Sequence, residues 1–398
     1  MSRIKFNNFF LEGDKLDINW EYVVKLPHFC GMENTQQNPR WHMEGNVMQH
    51  TRLVCENMMK QLINDERCVR YSFYQKKLLM LAALFHDIGK PQTTFLGEKD
   101  GNWHSYGHDI VGAKLAREML WDWSLYEREY ICSMIKYHME PLFVHKSNNV
   151  EKRIKEITSV VPYFDLYLLK CADLEGALQD PNYSTKVEDR EKLEIFLNTA
   201  ESPYAKEFQV EMHMTLLPLY TISDNFFIMS NDKDITLSKS RLHVMIGLPG
   251  SGKNTYIDNV LLKEEPDAVI LSRDDIRVEL GYCTADEKIV GTDKQERKVT
   301  DIFNKRLIEA MENRKSVIIN NINLSKKRRK ALLEQVKKYN PYVIFHYIEA
   351  PTLQDNLNRR DGQIKESVFH NMIQNFDFPE IVECDKLVIY KQTIFLKT

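Results

Sequence analysis

Apolar positions along this chain follow two rhythms, and the change from one to the other divides it. In the N-terminal half they recur at helical spacing. Val47, Leu53, Val54, Met58, Leu62 and Ile63 keep one stripe, residues 76–84 make a nearly continuous apolar helix, and Ile110, Val111, Ala113, Leu115, Ala116, Met119 and Leu120 repeat the pattern. Further helices are predicted over 127–138, 165–177 and 188–198, and residues 1–20 read as an irregular arm. In the C-terminal half, apolar runs of strand length over 242–246, 268–272, 316–320, 342–348 and 386–390 alternate with helical patterns such as 300–313 and 325–339. That alternation predicts a parallel sheet with helices on both faces, binding ligands at the carboxyl ends of its strands. Between the halves the periodicity fades around Pro203, Pro218, Ser223-Asp224-Asn225 and Asn231-Asp232-Lys233-Asp234. The expected organisation is an all-α domain over 1–200, a linker over 201–238 with room for a short packing helix, and an α/β domain over 239–398.

Composition narrows the class. At 398 residues the chain exceeds one ordinary domain, and with 43% hydrophobic and 28% charged residues it has ample core. No apolar run approaches bilayer length and the stretch from Met1 to Asn7 lacks the apolar segment of a signal peptide, so no membrane partner is expected. Seven cysteines without CxxC spacing point to buried thiols in a reducing cytoplasm. A net charge of −3 means that any nucleic-acid surface must be local. Histidine is the informative residue: eight of twelve lie within the first 145 positions, which suggests a metal site there.

The first strand of the second half runs into Gly247-Leu248-Pro249-Gly250-Ser251-Gly252-Lys253-Asn254-Thr255, and helical spacing resumes at Tyr256. Strand, glycine-rich turn and helix are the context of a phosphate-binding loop. Gly247, Gly250 and Gly252 let backbone N–H groups converge on a phosphate chain, and Lys253 reaches the terminal phosphates of ATP or GTP. Asn254 stands where Ser or Thr normally contacts Mg²⁺, so its amide oxygen, Thr255 or water must take that place. The plainer reading is a glycine turn with a chance lysine.

In the first half, ligand-type residues lie on or beside helices: His50, His86-Asp87-Ile88-Gly89-Lys90, Gly107-His108-Asp109, His138 and Cys171-Ala172-Asp173. A buried helix does not end on a His-Asp pair for solubility. The ordered set His50, His86, Asp87, His108, His138 and Asp173 resembles the HD superfamily of metal-dependent phosphohydrolases. The resemblance implies that Asp87 bridges two divalent cations, with His50, His86 and Asp173 completing one site and His108 and His138 the other. It also implies that Lys90 holds a substrate phosphate oxygen. Imidazole and carboxylate suit Mn²⁺, Ni²⁺, Co²⁺ and Fe²⁺ alike. His42, His104 and His145 read as support, substrate contact or surface.

After the second strand comes Ser272-Arg273-Asp274-Asp275-Ile276-Arg277. An aspartate just past a strand end, on the edge that carries the phosphate loop, can take the proton of an attacking hydroxyl. The segment resembles the element of 5′-hydroxyl polynucleotide kinases of the bacteriophage RNA-repair type. Their likeness implies that Asp274 is the general base and Arg277 the clamp on the acceptor's neighbouring phosphate, while Asp275 reads as a helix cap. Two family positions differ here: Asn321 replaces an aspartate and Asn356 the first arginine of the lid, whose second arginine is Arg360, beside Arg359. The run Lys326-Lys327-Arg328-Arg329-Lys330 reads equally as a phosphodiester grip or a solvated helix start.

Together the two halves resemble the bacterial HD-Pnk family, which implies RNA end healing: an ATP- and Mg²⁺-dependent kinase acting on 5′-hydroxyl RNA or DNA ends, and a two-metal centre acting on 2′,3′-cyclic phosphates or 2′-phosphates. An RNA ligase would seal the products. Two other readings stay open. One joins an HD nucleotide hydrolase to a small-molecule nucleoside or metabolite kinase; the other is an ATP-gated RNA-binding module without turnover, which Asn254, Asn321 and Asn356 would suit.

Overall fold

A computed structural model describes residues 4–13, 15–202, 226–230, 240–283, 291–360 and 364–391. They fall in two compact units, Met1–Met214 and Thr215–Thr398. No helix among the described residues is long and apolar enough to cross a membrane.

The first unit is helical. Helix α1, Val47–Asn64, starts at a capping box between Asn46 and Gln49, and α2, Phe73–Phe85, starts at one between Ser72 and Gln75. Every side chain of α2 from Leu78 to Phe85 is buried, so this helix is the centre of the core rather than one face of it. Its four buried leucines each contribute about 1.5–3 kcal/mol by leaving water. Around it stand α3, His108–Met119; α4, Leu125–Tyr137; α5, Tyr163–Gly176; and α6, Lys186–Ala200. α5 packs on α1, α1 and α4 pack on α2, and α3 packs on α4.

Two details differ from the sequence reading. The N-terminal arm is part of the core: Phe9 and Phe10 are buried, and the Phe9 ring meets Phe85 at 5.5 Å. Gly89, singled out in the sequence only as part of the His-Asp segment, is a point of close approach. A Cβ there would lie 2.1 Å from the His108 carbonyl oxygen and 2.6 Å from the Gly112 nitrogen, so only glycine lets the turn after α2 press against α3.

The second unit is built on a six-stranded sheet: β1, Phe226–Ser230; β2, Arg241–Ile246; β3, Val269–Leu271; β4, Val317–Ile319; β5, Tyr342–Glu349; and β6, Lys386–Lys391, in spatial order β1-β6-β5-β2-β4-β3. Strands β2 to β6 are parallel, as predicted, and β1 runs antiparallel along β6 from Phe226 opposite Tyr390 to Ser230 opposite Lys386. That edge strand falls inside the stretch read as linker; the short helix imagined there lies outside the described residues. Central β2 has β4 on one side and β5 on the other. The chain leaves β2 toward one edge and returns to the other, which opens a crevice at the carboxyl end of β2.

Helices α7, Lys253–Tyr256; α8, Arg273–Glu279; α9, Asp293–Glu312; α10, Lys326–Val336; and α11, Leu353–Asn358 connect and flank these strands. Beyond α7 the backbone widens into a π-helical turn, Ile257–Leu261, where plain helix was expected; Tyr256, Ile257 and Leu261 still reach the core.

Candidate functional site

Helix ends bring the first cluster together. His50 lies in the first turn of α1, His86 and Asp87 follow α2, His108 opens α3, His138 follows α4, and Asp173 lies in the last turn of α5. His50, His86, Asp87 and His138 are at most 1% exposed. The ligand atoms of His50, His86 and Asp87 form one close group, those of Asp87, His108 and His138 a second, each within 4.8 Å, and Asp87 is common to both. Its two oxygens divide the groups: Oδ2 lies 3.2 Å from His86 Nε2 and Oδ1 lies 3.4 Å from His108 Nε2. Asp173 Oδ1 joins at 2.9 Å from His50 Nε2 and 3.7 Å from His86 Nε2. All six residues singled out in the sequence therefore converge.

The imidazoles are locked in one orientation. His86 Nδ1 donates to the Ala83 carbonyl, His108 Nδ1 to that of Ser105 and His138 Nδ1 to that of Ile135, each at 2.7 Å. A carbonyl offers only lone pairs, so the hydrogen sits on Nδ1 and the Nε2 lone pair faces the pocket. His108 Nε2 and His138 Nε2 meet at 3.3 Å, and the buried His86 Nε2 has no hydrogen-bond partner. Electron pairs pointed at one another inside a protein are costly, and divalent cations would relieve that cost. The donor set thus fits hard-to-borderline cations bound through nitrogen and oxygen.

Electrostatics agree with this. Burial pushes the His108 and His138 pKa values down, keeping both in the neutral form that ligates. Burial disfavours charge on Asp87 and Asp173 as well, but the Lys90 ammonium beside Asp87, and Lys170 and His50 at Asp173, outweigh it and hold both carboxyls well below their usual range. His50 is the exception: against burial, Asp173 and Glu44 raise it to about 9. A cation at its Nε2 would displace that proton.

Three supporting residues escaped the sequence reading. Glu44 Oε1 lies 2.9 Å from His50 Nδ1 and 2.7 Å from His42 Nδ1, so it steers the ring of a ligand. Lys170 Nζ lies 2.6 Å from Asp173 Oδ2, and Gln37 Oε1 accepts from Lys90 at 2.8 Å while Lys90 Nζ lies 2.7 Å from Asp87 Oδ2. Lys170 was findable, since it precedes Asp173 by three positions on one helix and shares its face. His145 is exposed and His104 lies in a two-stranded ribbon.

The second cluster lines a cleft of ≈ 1580 Å³ at the end of β2. Gly250 and Gly252 adopt φ of +74° and +95°, and a Cβ at Gly250 would lie 2.6 Å from the Asn356 carbonyl oxygen. A Cβ at Gly247 would meet the Ile348 carbonyl oxygen at 2.3 Å. Lys253 Nζ donates to the Gly247 and Leu248 carbonyls, both at 2.9 Å. Arg360 shares the cleft, with its Nε buried and without a partner, as is Ser251 Oγ in the loop. Burial and Arg360 push the Lys253 ammonium down to about 7. Two mutually repelling cations over a glycine loop fit a phosphate chain.

Asp274 lies on α8 across the same cleft. Arg277 Nη1 donates to Asp274 Oδ1 at 2.6 Å, while its Nε and Nη2 hold both oxygens of Glu296 at 2.7 Å. The fork fixes Asp274 and leaves one N–H on each terminal nitrogen for an acceptor group. Asp275 N–H bonds Ser272 Oγ; Ser272, rather than Asp275, is the side-chain cap of α8.

The asparagine departures have structural employment. Asn254 Oδ1 accepts from Asn320, Asn321 Oδ1 accepts the Arg273 N–H at the start of α8, and buried Asn356 donates to the Pro249 carbonyl at 2.9 Å, clipping the phosphate loop in place. Thr255 lines the cleft beside Asn254. The basic run divides. Arg329 is buried on Glu383 and three carbonyls and Lys326 pairs with Glu380, so neither is free to grip a phosphodiester, whereas Arg328 lines the cleft.

Comparisons with known proteins follow the same division. Residues 46–161 match the HD domain family and residues 242–379 match a family described as AAA domain. The chain is 30% identical over 145 residues to an L-seryl-tRNA(Sec) kinase of Methanococcus maripaludis, covering 35% of this chain and 53% of that protein. It is 35% identical over 97 residues to a multifunctional CCA protein of Actinobacillus pleuropneumoniae, covering 24% of this chain and 21% of that one. It thus spans about half or less of the curated relatives it matches. A structure of the Pnkp1/Rnl/Hen1 RNA repair complex is similar at 22% identity and a TM-score of 0.30, covering 36% of this chain and 45% of that one. With five parallel strands behind the loop, the matched families and the two clusters agree: this chain carries an HD domain followed by a P-loop kinase domain of the AAA type.

Proposed function

We propose that the chain heals both ends of a broken RNA: the Asp87 centre hydrolyses a 2′,3′-cyclic phosphate or removes a 2′-phosphate, and the Lys253 cleft phosphorylates a 5′-hydroxyl with ATP. What carries the reading is the presence in one chain of an imidazole cluster divided between the two oxygens of Asp87 and a cationic cleft holding a carboxylate.

Two cations of the Mn²⁺, Ni²⁺ or Co²⁺ kind at the first centre would supply Lewis acidity toward a phosphoryl oxygen and an attacking water. Asp87 would serve both, with His50, His86 and Asp173 to hold one and His108 and His138 to hold the other. Lys90, now paired with Asp87, would exchange that partner for a phosphate oxygen of the substrate. In the second centre the backbone of Gly250, Ser251, Gly252, Asn254 and Thr255 cradles the phosphates that arrive with Mg²⁺, and Lys253 and Arg360 neutralise charge as it develops. Asp274 takes the proton of the attacking hydroxyl, and the hydroxyl oxygen bonds the γ-phosphorus as the bond from that phosphorus to the β-phosphate oxygen breaks and ADP leaves. Arg277 positions Asp274. An RNA ligase would join the products.

Similarity to a kinase of seryl-tRNA makes that molecule the second acceptor to test. With γ-labelled ATP, a 5′-hydroxyl RNA oligonucleotide should be labelled at least ~10-fold more efficiently than a free nucleoside or seryl-tRNA. Better labelling of either competitor would overturn the assignment of the kinase.

The lowered Lys253 pKa gives a pH signature. Bound phosphates favour the charged lysine, so its pKa rises in the complex from about 7, and ATP binding above that pH takes up a proton. Affinity for ATP should therefore fall as pH rises through about 7. Calorimetry at pH 8 in buffers of different ionisation enthalpy reads the uptake; identical heats in all buffers would contradict it.

A further inference from the structure

Between Lys90 and His108 the chain forms a two-stranded ribbon, Phe95–Leu96 paired with Trp103–His104. Its aromatic side chains are not buried: Phe95 is 47% and Tyr106 72% exposed. They are nonetheless ordered against each other. The His104 and Tyr106 rings stack at 5.2 Å and 16°, and Phe95 lies 5.7 Å from the first and 5.9 Å from the second. Tyr106 donates its hydroxyl hydrogen to His104 Nδ1 at 3.2 Å, and His104 Nε2 donates to Asp100 at 2.9 Å, so the imidazole is held at both nitrogens. Gly97 makes room for it, since a Cβ there would lie 2.9 Å from His104 Cδ2.

This ordered patch is tied to the Asp87 centre at both ends. Thr94 Oγ1 donates to the Lys90 carbonyl at 2.7 Å and accepts from Ser105 Oγ at 2.7 Å, and the Ser105 carbonyl is the acceptor that orients His108. Tyr106 precedes His108 by two residues, at most ~7 Å of chain. That is comparable to the reach of a nucleotide from its phosphate to its base.

We propose that Phe95, His104 and Tyr106 form a stacking platform for the terminal nucleobase of a single-stranded RNA end whose phosphate lies at the Asp87 centre. The proposal rests on the end-healing reading above. Stacking on an aromatic face accepts every base, as a repair centre for ends of any sequence requires, and it places the end without a hydrogen-bond readout. A polar phosphate pocket alone would hold the phosphate but leave the nucleoside to swing.

The test uses the full chain and the variants Tyr106→Ala, Phe95→Ala and Tyr106→Trp. Stacking of this kind predicts that each alanine raises the KM for an RNA oligonucleotide ending in a 2′,3′-cyclic phosphate by about tenfold or more, that Tyr106→Trp restores it, and that hydrolysis of a base-free p-nitrophenyl phosphodiester and the bound metal content stay close to wild type. An unmoved KM for RNA overturns the proposal. So does a parallel fall in reporter hydrolysis and metal content, which would make the patch a prop for His108. Should wild type cleave no RNA end, the end-healing reading fails on its own account. Photocrosslinking of RNA ending in 4-thiouridine then decides the platform: crosslinks within residues 95–106 uphold it, and crosslinks elsewhere overturn it.

Discussion

Asp87→Ala should abolish hydrolysis of a phosphodiester reporter, strip metal from the protein and leave RNA phosphorylation intact. Asp87 is the residue whose two oxygens face both imidazole groups, so its loss undoes two sites at once. Loss of a partner that merely orients a ligand typically costs 10–100-fold in metal affinity or activity, and removal of a shared ligand should exceed ~100-fold. Elemental analysis of purified protein gives the metal content and a p-nitrophenyl phosphodiester gives the rate. Retained metal with undiminished hydrolysis would refute the assignment of the centre. The variant also leaves Lys90 as a buried cation without its carboxylate, so its folding should be checked by thermal melting.

The second large effect is the mirror image. Lys253→Ala should lower the kinase rate by ~10²–10³-fold, the usual cost of removing one group that stabilises developing charge, and Asp274→Ala by ~10²–10⁴-fold through loss of the base. Reporter hydrolysis and metal content should stay at wild-type levels. The two variants should also separate. Asp274 makes no hydrogen bond to the phosphate loop, so its loss should spare ATP binding, whereas Lys253→Ala should weaken it. Equal loss of ATP binding in both would show that Asp274 supports the loop rather than takes a proton.

Sequence made much of this legible, because the site residues sit where periodicity changes. His86 and Asp87 end an apolar helix, His108 follows Gly107 at the start of another, and the glycine loop interrupts strand-to-helix passage. The five parallel strands stood out as apolar runs bounded by polar segments. What stayed hidden depends on packing. Phe226–Ser230 is as apolar as its neighbours, but its polar flanks read as linker because pairing to β6 is set by tertiary contact. Glu44 supports His50 from a loop, and no spacing rule connects the two. Asn356 read as a missing lid arginine, yet its buried side chain holds the loop backbone at Pro249. Arg329 belonged to a run of five basic residues, and burial on Glu383 removed it from the surface that charge alone would assign.

Repair of both termini of the same break by one chain is the activity proposed here. Its most direct measurement is mass analysis of both RNA fragments left by a cleavage that produces a 5′-hydroxyl and a 2′,3′-cyclic phosphate, after incubation with the full chain, ATP, Mg²⁺ and Mn²⁺. The downstream fragment should gain one phosphate and the upstream fragment should lose its cyclic phosphate, with Lys253→Ala blocking only the first change and Asp87→Ala only the second. Two unchanged fragments, or both changes lost in either variant, would contradict it.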